Sequence, residues 1–134
     1  MAMANDKDQG IVQISSHHSV AVTMDRLESM LKEKGIKVFA RIDFSGDAGR
    51  AGLTMRPEQM LIFGNPKAGT PLIVAVPVAG LDLPMKALAW EDAKGNTWIA
   101  YNQPEYVIIR HGLESSFTAN LAGAIPFIEQ AANE

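Results

Sequence analysis

The chain has 134 residues, a formal net charge of −3, a hydrophobic fraction of 47% and no cysteine. This length fits one domain, and the lack of cysteine excludes disulfides, zinc–thiolate and iron–sulfur sites and a cysteine nucleophile. Basic residues are dispersed, and the longest apolar run, 72–81, is too short for a bilayer, so we expect no nucleic-acid partner and no membrane contact.

The first ten residues, MAMANDKDQG, are polar. We expect 1–9 to be a flexible segment and 10–134 to form a single domain. Because this start has no apolar core segment, it shows no signal peptide, which favours a cytoplasmic location. A chain whose leader had been removed would show the same pattern.

A strand over 11–17 and a helix after it are predicted next. Ser19 or Thr23 fits the N-cap of this helix, and Gly35 fits its left-handed C-terminal end. The helix is indicated by four apolar residues at helical spacing: Val20, Met24, Leu27 and Leu31.

Alternation of side chains predicts a strand over 36–44 with one buried face. Its apolar side carries Ile36, Val38, Ala40, Ile42 and Phe44, and its other side carries Lys37, Phe39, Arg41 and Asp43. Small residues over 45–53 predict a loop or one weak helical turn, and the apolar run 58–64 predicts a buried strand.

The stretch FGNPKAGTPL matches most of the sequence pattern of a phosphate-binding loop, because Gly64 and Gly69 flank four residues and a threonine follows. The lysine that such a loop needs after its second glycine is missing, and Pro66 and Pro71 each remove a backbone donor. We therefore favour a turn that positions a helix over a nucleotide loop.

Thr70 and Pro71 fit the N-cap and first position of a short helix over 71–76, although its β-branched residues favour a strand. Such a helix start carries partial positive charge. An anion bound there would use Thr70, Lys67 and the N–H groups near Gly69 as donors.

Residues 85–92 and 96–102 are predicted to form a hairpin around Ala93-Lys94-Gly95. A short helix follows from Pro104 to Gly112, and a closing helix over 115–132, with Pro126 marking a kink or a break. Its buried stripe would be Phe117, Leu121, Ala124 and Ile128.

Consecutive strands without helical crossovers indicate an α+β domain with a mainly antiparallel sheet, a β-α-β-β-β-β-α-type order and helices packed on one face. The segments VFARIDF, RPEQMLIFGNPKAGTPL, AGLDLPMKALAWED, WIAYNQPEY and RHGL resemble, in that order, the domain of unknown function 302 family. The resemblance implies a compact bacterial domain with this layout, frequent self-association and no known activity. The family pattern has a histidine after the RID aspartate, where this chain has Phe44.

No cofactor motif is present, so we expect no cofactor. A metal site is also not expected, since His17 and His18 would point to opposite faces of a strand and His111 fits a helix C-terminus. Four aromatics could line a pocket, form a dimer interface or pack across strands: Trp90, Trp98, Tyr101 and Tyr106.

Three hypotheses follow, in this order. The first is a non-enzymatic domain that binds a small ligand, with an anion as one option, through candidate residues on its turns: Asp43, Asn65, Lys67, Gly69, Thr70, Asp82 and Lys86. The second is a homodimeric interaction module. The third is an enzyme with Asp43 or Asp82 as general base and Lys67, Lys86 or Arg110 as an electrostatic clamp.

Overall fold

The computed structural model describes the backbone of residues 2–5 and all of residues 10–134. Its strands are β1 (Ala2–Asn5), β2 (Ile11–Ser16), β3 (Lys37–Asp43), β4 (Glu58–Gly64), β5 (Met85–Glu91) and β6 (Thr97–Asn102). Its α-helices are α1 (Val20–Glu33), α2 (Phe44–Arg50), α3 (Pro66–Ala75), α4 (Pro104–Arg110), α5 (Thr118–Leu121) and α6 (Ile125–Asn133). Two 3₁₀ helices cover Pro77–Asp82 and Ser115–Phe117.

The strands form one sheet of antiparallel neighbours in the order β1-β2-β6-β5-β4-β3. This confirms the predicted α+β class. From β2 onward, the elements β2, α1, β3, β4, β5, β6 and α6 follow the predicted β-α-β-β-β-β-α order, and further helices, including the ten-residue α3, are inserted at the connections. The flexible segment predicted for 1–9 stays a prediction, since residues 1 and 6–9 lie outside the described residues and 2–5 are described only as the backbone of β1.

The first helix follows its sequence signals closely. The backbone N–H of Val22 donates to the Ser19 hydroxyl at 3.2 Å, which identifies Ser19 as the N-cap. Gly35 follows the helix with a φ of +74°, the left-handed conformation that glycine adopts without strain. The four residues of the predicted stripe are all buried.

The alternation predicted for 36–44 is wrong beyond Val38. The register of β3 on β4 shifts between Val38 and Ala40, so that the extra residue, Phe39, forms a bulge. A one-residue bulge moves every later side chain to the opposite face. Arg41 therefore lies on the same face as Val38, and its guanidinium reaches α1.

The next element is also a correction. Phe44 does not end the strand but begins α2, a seven-residue helix where we predicted a loop or one weak turn. The side chain of Asp43 caps this helix by accepting the backbone N–H of Gly46 at 3.0 Å. A good N-cap supplies the partner that a short, glycine-containing helix needs at its start.

The helix predicted for 71–76 begins five residues earlier, at Pro66. Asn65 is its N-cap, and Pro66 is at the first helical position, so Thr70 and Pro71 lie inside the helix. The chain offers two cap–proline pairs in sequence, Asn65–Pro66 and Thr70–Pro71, and the helix uses the first. The closing helix breaks before Pro126, which lies at the start of α6, as one of the two predicted alternatives states.

Two apolar clusters hold the fold together. The larger packs α1 and α6 on one face of the sheet, through Leu27, Leu61, Ile99 and Ile128 among others. The smaller joins α3, α4 and α5 around Leu72, Val107, Ile108 and Leu121. Met85 packs against both, so the helices at one end of the sheet are anchored to the main core.

Candidate functional site

A cleft with a volume of ≈ 650 Å³ lies where the two clusters meet. Its walls come from the start of β3, the end of β4, the first half of α3, residues 83–85 and the α5–α6 junction. Most of the lining is apolar: Ile36, Phe39, Phe63, Ile73, Leu83, Pro84, Met85, Leu121 and Ala124. This is the one described region where several predicted site residues gather.

The polar side chains of the cleft are few: Asn65, Lys67, Thr70 and Asn120. Lys67 is the only charged residue among the described lining residues, and its ammonium makes no ion pair with a described residue. Asn120 donates its side-chain amide to the carbonyl of Ala68 at 2.9 Å, which ties α5 to the first turn of α3. The cleft therefore combines apolar walls with one positive charge.

The backbone of the 64–71 turn does not offer the donors of a phosphate loop. The N–H groups of Ala68 and Gly69 both donate to the backbone carbonyl of Asn65 at 2.9 Å. The N–H of Lys67 donates to the side-chain Oδ1 of Asn65 at 3.0 Å. Since these three groups are already paired, the structure disfavours the expected anion contact through the N–H near Gly69, and ligand binding by the residues of this turn stays a prediction. Any ligand here would meet side chains instead.

The bulge at Phe39 shapes the mouth of the cleft. A Cβ atom built on Gly64 would lie 3.6 Å from the Phe39 ring and 3.5 Å from Pro84, so these two side chains flank the backbone of Gly64. The Lys37 ammonium lies 5.0 Å from the centre of the Phe39 ring, which places a second positive charge beside this wall.

Asp82 lies outside the cleft lining, in a polar cluster with α4. Arg110 donates from Nη1 to both oxygens of the Asp82 carboxylate at 3.0 Å. The Nε2 atom of His111, whose side chain is 6% exposed, lies 2.6 Å from Asp82 Oδ2. Because Asp82 directly precedes Leu83 and Pro84, this cluster fixes the segment that forms one cleft wall.

Asp43 and Lys86 are also outside the lining. Hydrogen bonds from the Gly46 N–H and the Ser45 hydroxyl lower the pKa of Asp43 from its ordinary value of 3.8. A general base at neutral pH needs a raised pKa, so this shift runs against a catalytic role. Lys86 donates from Nζ to the carbonyl of Pro84 at 3.1 Å. Of the seven candidate residues, only Asn65, Lys67, Gly69 and Thr70 come together.

Phe39 and Asn120 are cleft residues that our sequence prediction missed. Phe39 carried a usable signal, because a phenylalanine on the polar side of an alternating strand indicates a register shift. Asn120 had no such signal in the sequence. Its place in the cleft depends on the position of α5, which follows from the break before Pro126. Within the described residues, no set of three or more His, Asp or Glu side chains is arranged to hold a metal ion.

The four aromatic residues named in the sequence analysis do not share one surface. Trp90 and Trp98 lie directly opposite each other on β5 and β6, on the face away from α1 and α6. The Trp90 indole donates to the Gln13 amide oxygen and the Trp98 indole to the Asp92 carboxylate, each at 3.0 Å. Tyr101 packs against the main core and Tyr106 against the smaller cluster. None of the four lines the cleft.

Residues 12–130 match the model of the family described as domain of unknown function DUF302. This chain is a member of the DUF302 family. A crystal structure of an uncharacterised conserved DUF302 protein from Bacillus stearothermophilus superposes with a TM-score of 0.73, over 91% of this chain and 94% of that one. At 19% sequence identity, this likeness supports the fold alone.

The DUF302 chain also resembles curated proteins from Brucella. It is 44% identical over 111 residues to "Fluoride-specific ion channel FluC 1" of Brucella suis, a match that covers 83% of this chain and 44% of that protein. The corresponding protein of Brucella melitensis, FluC 2, is 44% identical over 111 residues, which make up 41% of its length. The chain thus spans less than half the length of these relatives. In the part of the DUF302 chain that the structure describes, we find no helix of the length and hydrophobicity that a membrane crossing requires.

Proposed function

We propose that this chain is a small-molecule-binding domain and that the cleft beside the 64–71 turn is its binding site. The observation that carries the proposal is the cleft itself. Its volume of ≈ 650 Å³ is in the range of pockets that enclose a small organic ligand. Apolar walls with a few polar groups on one side are the usual composition of such pockets.

The exposed apolar side chains of the cleft favour the interpretation of the cleft as a binding site over its interpretation as a packing defect. Phe39 is 44% exposed and Ile73 is 39% exposed, although both line a concave surface. A ligand that covered them would remove apolar area from water, which is favourable. Catalysis has less support, because neither Asp43 nor Asp82 lies in the cleft lining. The cytoplasmic location expected from the sequence stays a prediction.

Fluoride is not the ligand that we propose for the cleft. The channel activity for which the Brucella relatives are named belongs to proteins of which this chain spans less than half. A single fluoride ion would also have to give up its water shell against apolar walls, and an isolated charge in such surroundings is strongly disfavoured. We therefore expect no response to fluoride at this site.

The test is a thermal-shift screen with organic acids, nucleotides, phosphate, sulfate, fluoride and metal salts on three proteins. These are the native chain, Gly69→Leu and Gly49→Leu. Both glycines are helical and have open space around an added Cβ, but only Gly69 lines the cleft. Leucine also has the higher helix propensity, so both variants should fold.

A ligand at 100 times its Kd stabilises the folded state by about 2.7 kcal/mol, which raises Tm by several degrees. We expect a ligand that stabilises the native chain and Gly49→Leu but not Gly69→Leu. A ligand that stabilises all three proteins equally would contradict the cleft as its site. If no ligand raises Tm, small-molecule binding is contradicted.

Self-association is a second candidate, favoured by the face of the sheet away from α1 and α6. Half-buried apolar side chains cover this face, and neither buried cluster includes them: Ile42, Met60, Ile62, Leu88, Trp90 and Trp98. A group of apolar side chains on one face of a sheet suits a second copy of the chain. Sedimentation should then give a dimer, and Leu88→Lys should give a monomer. Val74→Lys, a control at an exposed residue of α3, should stay dimeric. A monomeric native chain would contradict this candidate.

A further inference from the structure

We infer that the ligand of the cleft is an amphipathic monoanion: an apolar hydrocarbon body joined to a carboxylate or a group of similar charge. This inference rests on the proposed function, because it names the class of ligand for the same site. It follows from the distribution of charge and apolar surface around the cleft, and each feature constrains one part of the ligand.

The body of the ligand is specified by the walls. Phe63 and Leu121 are buried in the core clusters, Leu83 packs against the smaller cluster and Met85 against both, so the inner wall is apolar. Phe39 and Ile73 extend this surface to the mouth. A polar or sugar-like body would lose its water here without gaining partners, which is costly. A hydrocarbon chain or ring would be stabilised.

The head of the ligand is specified by the rim. The described lining residues include Lys67 as the single charge and no carboxylate. The Asn65 side-chain oxygen accepts the Lys67 N–H, so this lining side chain can offer a ligand the two donors of its amide N–H₂ group. The Lys37 ammonium lies beside the Phe39 wall. Donors and positive charge without an opposing carboxylate match an anionic acceptor, and they disfavour a cationic head of the same size.

One unbranched chain length with three different heads tests this inference. The probes are sodium decanoate, decanol and decyltrimethylammonium chloride, used below the concentrations at which they aggregate. Binding is measured by titration calorimetry to the native chain, Gly69→Leu, Lys67→Ala and Lys94→Ala. Lys94 is an exposed lysine of the β5–β6 turn and serves as the matched control for removal of one positive charge.

We expect decanoate to bind the native chain and Lys94→Ala alike, and Lys67→Ala about fivefold more weakly, because one exposed ionic contact is lost. Decanol should bind more weakly than decanoate and should not respond to Lys67→Ala. The ammonium compound should bind most weakly of the three. Shortening decanoate to octanoate should weaken binding about fourfold for each methylene removed.

The outcomes separate the two proposals. If all three probes bind the native chain with similar Kd, and Lys67→Ala has no effect while Gly69→Leu abolishes binding, the cleft is a binding site but the anionic ligand class is wrong. If no probe binds, or if Gly69→Leu leaves decanoate binding unchanged, decanoate does not occupy the cleft and the ligand class is again contradicted. Loss of the proposed function itself requires the negative result of the thermal-shift screen.

Discussion

The side-chain Oδ1 of Asn65 accepts the backbone N–H of Lys67 at 3.0 Å, and this bond begins α3 at the edge of the cleft. It holds the first turn of the helix directly after β4, so that Lys67 lies on the rim. The same residue accepts two further N–H groups through its carbonyl. Asn65 thus both begins α3 and positions the first turn of this helix at the proposed ligand site.

Replacing this cap should destabilise the protein. We expect Asn65→Ala to lower the free energy of unfolding by about 1 kcal/mol, because the helix loses the side-chain acceptor for the Lys67 N–H. Asn65→Asp keeps an acceptor and should stay close to the native value. Urea unfolding of the three proteins measures both effects. Equal losses in the two variants would show that the cap oxygen does not contribute to the free energy of unfolding.

Two glycines with positive φ allow strain and steric clash to be measured separately. Gly10 has a φ of +93°, and a Cβ there would lie 2.7 Å from the Cβ of Tyr106. Gly35 has a φ of +74°, and an added Cβ there would have no heavy atom within 4 Å apart from those of its chain neighbours. We expect Gly35→Ala to cost about 1 kcal/mol from the left-handed backbone alone, and Gly10→Ala about 2–4 kcal/mol. Similar losses in denaturant unfolding would contradict the close approach of Tyr106.

Asp92 should make the protein sensitive to acid. The Trp98 indole N–H and the Asn96 backbone N–H lower the pKa of Asp92 below its ordinary value of 3.8. A carboxylate whose pKa is lower in the folded state contributes stability above about pH 4, and this contribution is lost as pH falls through the lowered pKa. Asp92→Asn should therefore be less stable than the native chain at pH 6, with a difference that shrinks toward pH 3. Urea unfolding at both pH values tests this, and a pH-independent difference would contradict it.

The carboxylate of Asp82 should be structural. We expect Asp82→Asn to lower the free energy of unfolding by about 1–2 kcal/mol, because its bonds to Arg110 and to the buried His111 lose their charge assistance. Asp47→Asn is the matched control, since Asp47 forms an exposed ion pair with Arg50 on α2. Such pairs contribute little, so the control should stay within about 0.5 kcal/mol of the native chain. Equal effects in the two variants would remove the anchoring role of Asp82.

Much of this fold could be predicted from the sequence because its signals are local. The stripe and cap of α1, the hairpin around Gly95 and the boundaries of β4 each depend on residues close to one another in the chain. Two features could not be predicted in the same way. The bulge at Phe39 is fixed by pairing with β4, and the choice of Asn65 over Thr70 as cap is a competition between two similar local signals.

The candidate site was predictable only in part for the same reason. The 64–71 turn could be chosen as a candidate site because it contains glycine, proline and asparagine, and it does contribute one wall of the cleft. Asp43, Asp82 and Lys86 occur in similar turns, but their side chains bond to a helix start, to an ion-pair cluster with α4 and to a neighbouring carbonyl. Of these contacts, only that of Asp82 with Arg110 joins distant parts of the chain, and spacing along the chain does not show it.

The central claim is that the cleft binds an amphipathic anion, and backbone-amide NMR with a decanoate titration tests it most directly. We predict that the largest shift changes fall on residues 64–70, 83–85 and 119–124, with saturation as the site fills. Gly69→Leu should remove these changes, and Gly49→Leu should retain them. Shift changes confined to the strands that carry Trp90 and Trp98, or a titration without saturation, would contradict the claim.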